Sequence, residues 1–152
     1  MNIIVSQDHF EMGRVAGASA ASSIRRAIAE KESANIILAT GTSQFETLNH
    51  LISEKDIDWS KVVMFHLDEY IGLPITHPAS FRKYLKERFL SRVPPLKAAY
   101  LINGETDPQT ECARLVNLIT HHPIDVALVG IGENGHLAFN DPPADFETGV
   151  PY

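Results

Sequence analysis

The chain has 152 residues, of which 44% are apolar and 21% are charged, a composition typical of one ordinary globular domain. Its formal net charge is −6 and it contains no dense run of Lys or Arg, which argues against nucleic acid as a partner because such binding needs clustered positive charge. The single cysteine cannot form an internal disulfide, and no secretory segment follows Met1. No apolar run reaches the ~20 residues that a membrane helix needs. We therefore expect a cytoplasmic protein without a membrane partner.

The N-terminal region predicts a strand followed by a long helix. Residues 2–5 (NIIV) are typical of a strand, and Asp8 with Glu11 forms a capping box that marks the start of the helix. Small and apolar residues on one face of this helix should let it lie close to a sheet: Gly13, Gly17, Ala20, Ile24 and Ile28.

Two further strands follow, each leading into a loop. Residues 36–39 predict the second strand, after which Ser43 and Glu46 form a capping box for a helix with a 3.6-residue apolar periodicity. Residues 61–67 (KVVMFHL) predict the third strand, which enters a loop marked by Pro and Gly at 68–78.

The last predicted elements alternate in the same way. A helix covers the apolar positions of 81–89, and a short strand is predicted at 100–102. Asp107 caps a helix that has Pro108 at its first position. The final strand is predicted at 124–129. The inward face of the last helix is predicted to carry Cys112, Leu115, Val116 and Ile119.

This alternation of helices with continuously apolar strands predicts an α/β fold. We expect a Rossmann-like, mostly parallel sheet with helices on both faces, because strands buried on both sides read as apolar throughout. No internal repeat or linker interrupts residues 1–152, which are predicted to form a single domain. Residues 144–152 contain no closing strand or helix, so we expect this domain to be the N-terminal portion of a longer one.

Three segments at predicted strand ends are candidate sites, because ligands of open parallel sheets bind at the carboxyl ends of the strands. The first is TGTSQ at residues 40–44. Gly41 permits a tight turn, and the hydroxyls of Thr42 and Ser43 with the N–H groups of the following helix suit a phosphate. The alternative is that Ser43 only caps a helix.

The second segment is HLDEY at residues 66–70, which places two carboxylates next to each other at a strand end. Asp68 and Glu69 cannot both face the core, and one of them directed into a cleft could act as a general base. The alternative is an acidic loop that only faces solvent.

The third segment, residues 130–142, contains three glycines and a histidine. His136 is suited to proton transfer near neutral pH, since an unperturbed imidazole has a pKa of about 6.5. Asp141 and Glu133 could orient it. The adjacent His121 and His122 lack the spacing of metal ligands, and no metal site is predicted.

Together these segments resemble the glucosamine-6-phosphate deaminase (isomerase) family. Four stretches carry the resemblance in the family's order: LATGTSQ at 38–44, HLDEYIGL at 66–73, HPASF at 77–81 and GIGENGHLAFNDPP at 130–143. The resemblance implies a fold similar to ribose-5-phosphate isomerase and the CoA transferases. It also implies conversion of glucosamine 6-phosphate to fructose 6-phosphate and ammonia, without a cofactor.

The resemblance also implies roles for individual residues. Asp68 matches the base that moves a proton between C1 and C2, and His136 matches the group that opens the pyranose ring. Asp141 stands where the family commonly has Glu, as part of the carboxylate support of that histidine. Asn134 belongs to the same catalytic group, and Gly135 to the substrate-binding positions.

The phosphate-binding loop of the family matches Gly41, Thr42 and Ser43. A small sugar phosphate is therefore the expected partner, and a homo-oligomer is left open.

Two departures from the family pattern bear on activity. Many members carry Asp where this chain has Asn134, and an amide can hydrogen-bond an imidazole but supplies no charge to stabilise its protonated form. In the family, basic residues beyond the equivalent of residue 152 clamp the phosphate. We therefore expect phosphate binding by this chain to rest mainly on residues 40–44.

Two other functions remain open from the sequence. A phosphosugar-binding sensor is one, and the presence of both Asp68 and His136 favours an enzyme over it. A 6-phosphogluconolactonase-like hydrolase is the other, and residues 137–142 favour the deaminase over it.

Overall fold

The computed structural model describes residues 2–141, 143–145 and 147. Within them, every helix is too short or too polar to cross a lipid bilayer. The elements in chain order are α1 (His9–Lys31), β1 (Ala34–Leu38), a 3-10 turn (Thr42–Gln44), α2 (Phe45–Ser53), a second 3-10 turn (Trp59–Lys61), β2 (Val62–His66), α3 (Phe81–Leu85), a π turn (Lys86–Leu90), β3 (Ala98–Tyr100), α4 (Pro108–Thr120) and β4 (Val126–Leu128).

The four strands form one parallel sheet in the order β3-β2-β1-β4. Ile36 of β1 is in register with Met64 of β2 and with Val126 of β4, and Phe65 of β2 is in register with Tyr100 of β3. The predicted α/β fold with a mostly parallel sheet is confirmed. Since all strands run the same way, their carboxyl ends lie along one edge of the sheet.

Helices α1 and α2 pack together over one face of the sheet. Ile24 of α1 and Leu51 of α2 are fully buried there, in a cluster that includes Ile36, Leu38 and Met64 from the two central strands. The opposite face presents Ile37 and Phe65 towards α4. This alternation follows from the strand geometry, in which successive side chains point to opposite faces.

The predicted starts of α1 and α4 are confirmed. The Asp8 carboxylate accepts a hydrogen bond from the Glu11 N–H at 2.8 Å, and Asp107 accepts one from the Thr110 N–H at 2.9 Å. Each bond satisfies a backbone donor that the first helical turn otherwise leaves without a partner.

Several local predictions are wrong. Residues 2–5 form no strand, and Ile3, Ile4 and Val5 are 77%, 69% and 90% exposed, because no described strand lies beside them to complete a ladder. Ser43 does not cap α2: it lies inside the 3-10 turn, and the helix begins after Gln44, which makes no side-chain cap bond.

The remaining differences are smaller. The strand β3, which pairs with β2, spans Ala98–Tyr100 rather than the predicted residues 100–102. Cys112 lines a cavity between α4 and the sheet together with Leu115, Val116 and Ile119, as predicted for this face of the helix, but it remains exposed to solvent there. The prediction of an irregular tail at 144–152 falls mostly outside the described residues.

The glycines of α1 serve a helix contact rather than the predicted sheet contact. A Cβ on Gly13 would overlap the Cβ and carbonyl carbon of Glu46, and one on Gly17 would lie 2.8 Å from the Cβ of His50. Both neighbours belong to α2. The absence of two side chains therefore lets the backbones of α1 and α2 approach closely.

This contact predicts that Gly13→Ala destabilises the protein, although alanine favours helix formation by about 1 kcal/mol. Overpacking against the α2 backbone should cost about 1–3 kcal/mol, and urea unfolding would measure the difference. Ser19→Ala, at an exposed position of the same helix, is the matched control and should change stability by less than about 0.5 kcal/mol. A Gly13→Ala protein as stable as the control would show that the two helices can separate without cost.

Candidate active site

Three loops leave the carboxyl edge of the sheet and enclose a cavity of about 200 Å³. Its lining includes Thr40 after β1, Asp68 after β2, and Gly130, Gly132 and His136 after β4. Backbone hydrogen bonds continue the ladder beyond the strands, from the Leu67 N–H to the Leu38 carbonyl at 3.1 Å and from the Ala39 N–H to the Leu128 carbonyl at 2.9 Å. The sheet register thus brings the two predicted chemical groups, Asp68 and His136, to one cavity.

Asp68 is a half-buried carboxylate whose pKa is raised. Burial is the main cause, the negative charge of Glu69 adds to it, and the imidazole of His136 acts in the opposite direction. A carboxylate with a raised pKa is a stronger base than an ordinary aspartate, which is what abstraction of a proton from carbon needs.

Glu69 points away from the cavity and has a structural role. Its side chain is fully buried and accepts hydrogen bonds from the Ser80 hydroxyl at 3.1 Å, the Phe81 N–H at 3.1 Å and the Arg82 N–H at 2.8 Å. Burial alone would raise the pKa of Glu69, but these bonds and one from the Tyr70 N–H hold it below its usual value. Of the two adjacent carboxylates, only Asp68 faces the cavity.

Arg82 is a buried cation that the sequence analysis missed. Its guanidinium donates to the Asn103 side-chain oxygen at 2.8 Å, the Leu73 carbonyl at 2.8 Å and the Glu105 carboxylate at 2.9 Å. It therefore joins the loop that carries Asp68 to the loop between β3 and α4. One signal was available: Arg82 occupies the same helical face as Leu85 and Phe89, where a charged residue needs a buried partner.

The ring of His136 lies against two acceptor oxygens. Its Nδ1 hydrogen-bonds the Asn134 side-chain oxygen and lies 3.0 Å from the Asp141 carboxylate, and the Asn134 amide donates to the same carboxylate at 2.7 Å. Because both neighbours of Nδ1 are acceptors, we assign the proton to Nδ1, which leaves a lone pair on Nε2. The predicted group of Asn134, His136 and Asp141 is thus assembled, whereas Glu133 is exposed and is not among the described partners of the ring.

The glycines of this loop make room for the imidazole. A Cβ on Gly132 would overlap the His136 ring, and the Gly132 N–H donates to the His136 carbonyl at 2.9 Å. Gly135 has φ +86°, a conformation that L side chains rarely adopt. Gly132 is therefore required by close packing under the ring, and Gly135 by its backbone conformation.

The predicted phosphate loop lies beside the cavity rather than in its lining. Gly41 has φ +102°, and its carbonyl accepts hydrogen bonds from the Tyr84 hydroxyl at 3.0 Å and the Gln44 N–H at 3.2 Å. Burial raises the pKa of Tyr84 to about 12, so the phenol remains a neutral donor. Thr42 and Ser43 are exposed next to this turn. Of this segment, Thr40 is the residue that lines the cavity with Asp68.

The adjacent histidines are occupied by the helix that precedes them. The Nδ1 atoms of His121 and His122 hydrogen-bond the carbonyls of Asn117 and Leu118 at 2.6 and 2.7 Å. Among the residues that the structure describes, no group of three His, Cys, Asp or Glu side chains could hold a metal ion.

Comparison with known proteins gives one consistent family. Residues 7–143 match the family of glucosamine-6-phosphate isomerases/6-phosphogluconolactonase. The glucosamine-6-phosphate deaminase of Listeria welshimeri is 39% identical over 126 residues, which are 82% of this chain and 53% of the relative. The deaminase of Lactobacillus delbrueckii subsp. bulgaricus is 34% identical over 149 residues, which are 97% of this chain and 61% of the relative. The chain thus spans little more than half the length of these relatives.

Solved structures give the same result. A monomeric glucosamine-6-phosphate deaminase superposes with a TM-score of 0.84 at 29% identity, over 97% of this chain and 62% of that one. A 6-phosphogluconolactonase from Thermotoga maritima has a TM-score of 0.79 at 19% identity, over 91% of this chain and 63% of that one, and this likeness concerns the fold alone.

The raised pKa of Asp68 predicts that Asp68→Asn stabilises the protein at neutral pH. The folded state binds the Asp68 proton more tightly than the unfolded chain does. Ionisation of Asp68 therefore lowers the stability of the protein as the pH rises above 3.8, the ordinary pKa of an aspartate. The gain from Asp68→Asn should appear at pH 7 and vanish below pH 3.8 in urea unfolding. Asp56→Asn, at an exposed site, is the control. A loss of stability at pH 7, or a gain that does not depend on pH, would contradict the prediction.

The buried network predicts a large cost for Glu69→Ala. The substitution leaves the Ser80 hydroxyl and the Phe81 and Arg82 N–H groups without their buried acceptor. It also removes the carboxylate that lies 3.5 Å from the Arg82 guanidinium, and the loss should cost about 3–5 kcal/mol. Thermal or urea unfolding measures this directly. Glu30→Ala, in the exposed part of α1, should change stability by less than about 0.5 kcal/mol. Equal effects of the two substitutions would mean that Glu69 is not the anchor of the loop.

Proposed function

Since this chain belongs to the family of glucosamine-6-phosphate isomerases and 6-phosphogluconolactonases, we propose that it converts glucosamine 6-phosphate to fructose 6-phosphate and ammonia. The observation that carries the proposal is the shared cavity of Asp68 and His136, a raised-pKa carboxylate and an imidazole with an unprotonated Nε2. The deaminases that match this chain at 34–39% identity support this reaction over lactone hydrolysis.

Ring opening is assigned to His136. Its Nε2 accepts the proton of the anomeric hydroxyl and returns a proton to the ring oxygen, so that the C1–O5 bond breaks and an aldehyde forms at C1. The Asn134 side-chain oxygen accepts a hydrogen bond from the Nδ1–H, and the Asp141 carboxylate lies 3.0 Å from Nδ1, so that the two hold the ring in this tautomer. The imidazole ends the step as it began, with its proton on Nδ1.

Isomerisation is assigned to Asp68. The carboxylate removes the proton from C2 of the open-chain amino aldehyde while O1 takes up a proton from water, which gives an enolamine. The carboxylate then delivers the proton to C1, and the nitrogen returns a proton to water as the imine forms. The product carries an imine at C2, and addition of water there releases ammonia and leaves the ketone of fructose 6-phosphate. The raised pKa of Asp68 suits both halves of this transfer, since the same group acts as base and then as acid.

Substrate binding is assigned to the loops beside the cavity. Gly41, Thr42 and Ser43 offer hydroxyl and N–H donors for the phosphate, and Gly135 gives the sugar access to the backbone near His136. The steps above use protein side chains and water, so the proposal includes no cofactor. We place the reaction in the cytoplasm, where sugar phosphates are metabolised.

Ammonia release from glucosamine 6-phosphate by the 152-residue chain tests the proposal. We expect Asp68→Asn and His136→Gln each to lower kcat by about 10²–10⁴, the usual contribution of a positioned acid or base. Asp56→Asn should match the unmodified chain.

The other functions give different results in the same assay. Hydrolysis of 6-phosphogluconolactone without ammonia release would show a lactonase. Binding of glucosamine 6-phosphate without turnover would show a sensor. Ammonia release that persists in Asp68→Asn would remove Asp68 as the base.

A further inference from the structure

Three aromatic side chains form a cluster beside the cavity. The ring centroid of Phe139 lies 5.1 Å from that of Tyr70 and 5.9 Å from that of Phe81, and the centroids of Tyr70 and Phe81 are 5.0 Å apart. The rings of Phe139 and Phe81 are stacked, with an angle of 20° between their planes. We call these three residues the aromatic cluster.

The cluster joins the two loops that carry the proposed chemistry. Tyr70 follows Asp68 by two residues, and Phe139 follows His136 by three. Phe81 begins α3, whose N-terminus is fixed to Glu69. A ring from the His136 loop is thus seated on two rings that the Asp68 side of the site holds in place.

The described hydrogen bonds of the His136 loop do not tie it to the rest of the protein. The hydrogen bonds that the structure describes for residues 130–141 stay within residues 130–144, as in the bond between Gly132 and His136. They fix the internal shape of the loop and not its place relative to Asp68. Phe139 also borders both the 200 Å³ cavity and a second, largely apolar cavity of about 350 Å³, as do Leu67 and Asp68, so it lies where the two cavities adjoin.

We propose that Phe139 is a positioning residue that sets the placement of His136 relative to Asp68 through the aromatic cluster. This inference rests on the proposed function only in treating His136 and Asp68 as the catalytic pair. The placement of His136 relative to Asp68 can be measured without turnover. Burial is not a sufficient reason for an aromatic residue here, since Phe139 remains 49% exposed. Aromatic rings in contact favour particular distances and angles, whereas a nonspecific apolar contact does not. The ring of Phe139 can therefore fix the position of the loop that carries it.

The pKa of the Asp68 carboxyl depends on His136 and therefore reports where His136 lies. Its described charged neighbours are Glu69, which raises the pKa of Asp68, and His136, which lowers it. We would titrate the Asp68 carboxyl by NMR in the unmodified chain and in His136→Gln, and then repeat the pair in a Phe139→Ala background. The first comparison should show a higher Asp68 pKa when His136 is removed, and the second should show that this difference is lost.

Leu137→Ala is the matched control, because Leu137 lies in the same loop and is 48% exposed. The effect of His136→Gln should persist in Leu137→Ala and in Phe139→Tyr, which keeps the aromatic ring. If Phe139→Ala does not fold, Phe139→Leu keeps the apolar volume without the ring and should also lose the coupling.

An undiminished effect of His136→Gln in Phe139→Ala, or in Phe139→Leu, would overturn the proposal. A loss of coupling in Leu137→Ala would also overturn it, since the loop would then depend on any apolar side chain. These titrations separate the two proposals: absent ammonia release contradicts the function, whereas preserved coupling in the Phe139 variants contradicts the positioning role.

Discussion

The buried carboxylate of Glu69 is the interaction on which the site depends. A charge with a fully buried side chain is stable only where donors surround it, and Glu69 accepts hydrogen bonds from the Ser80 hydroxyl and the Phe81 and Arg82 N–H groups. The Arg82 guanidinium adds an ion pair at 3.5 Å. These partners attach the end of β2 to the start of α3. With Glu69 held on that side, the preceding Asp68 is free to face the cavity.

The parallel sheet supplies the second constraint. Its register places the ends of β1, β2 and β4 side by side, so that a carboxylate from one loop and a histidine from another meet although they are far apart in sequence. The close contact between α1 and α2, which Gly13 and Gly17 permit, covers the face of the sheet below this edge. The stable part of the fold is therefore separate from the loops that carry the chemistry.

Local sequence predicted much of the fold and of the site. The caps at Asp8 and Asp107 were predictable because each bond lies within four residues, and the three strand-end segments followed from the strand–helix alternation. Residues 2–5 were mispredicted because a strand is stable only beside another strand, which no local pattern can show. The separate roles of Asp68 and Glu69 also required the structure, since adjacent carboxylates are alike in sequence and differ only in what surrounds them.

The short helix α3 carries an unusual share of the connections described above. Ser80 and Arg82 bind Glu69, Phe81 holds the ring of Phe139, and Tyr84 donates to the Gly41 carbonyl. Ser80 caps the helix, and the directions of the helical residues after it differ by a rotation of about 100° per residue. Insertion or deletion of one residue here would turn every later contact away from its partner at once. The length of this segment is therefore a constraint on the site in addition to the identity of its side chains.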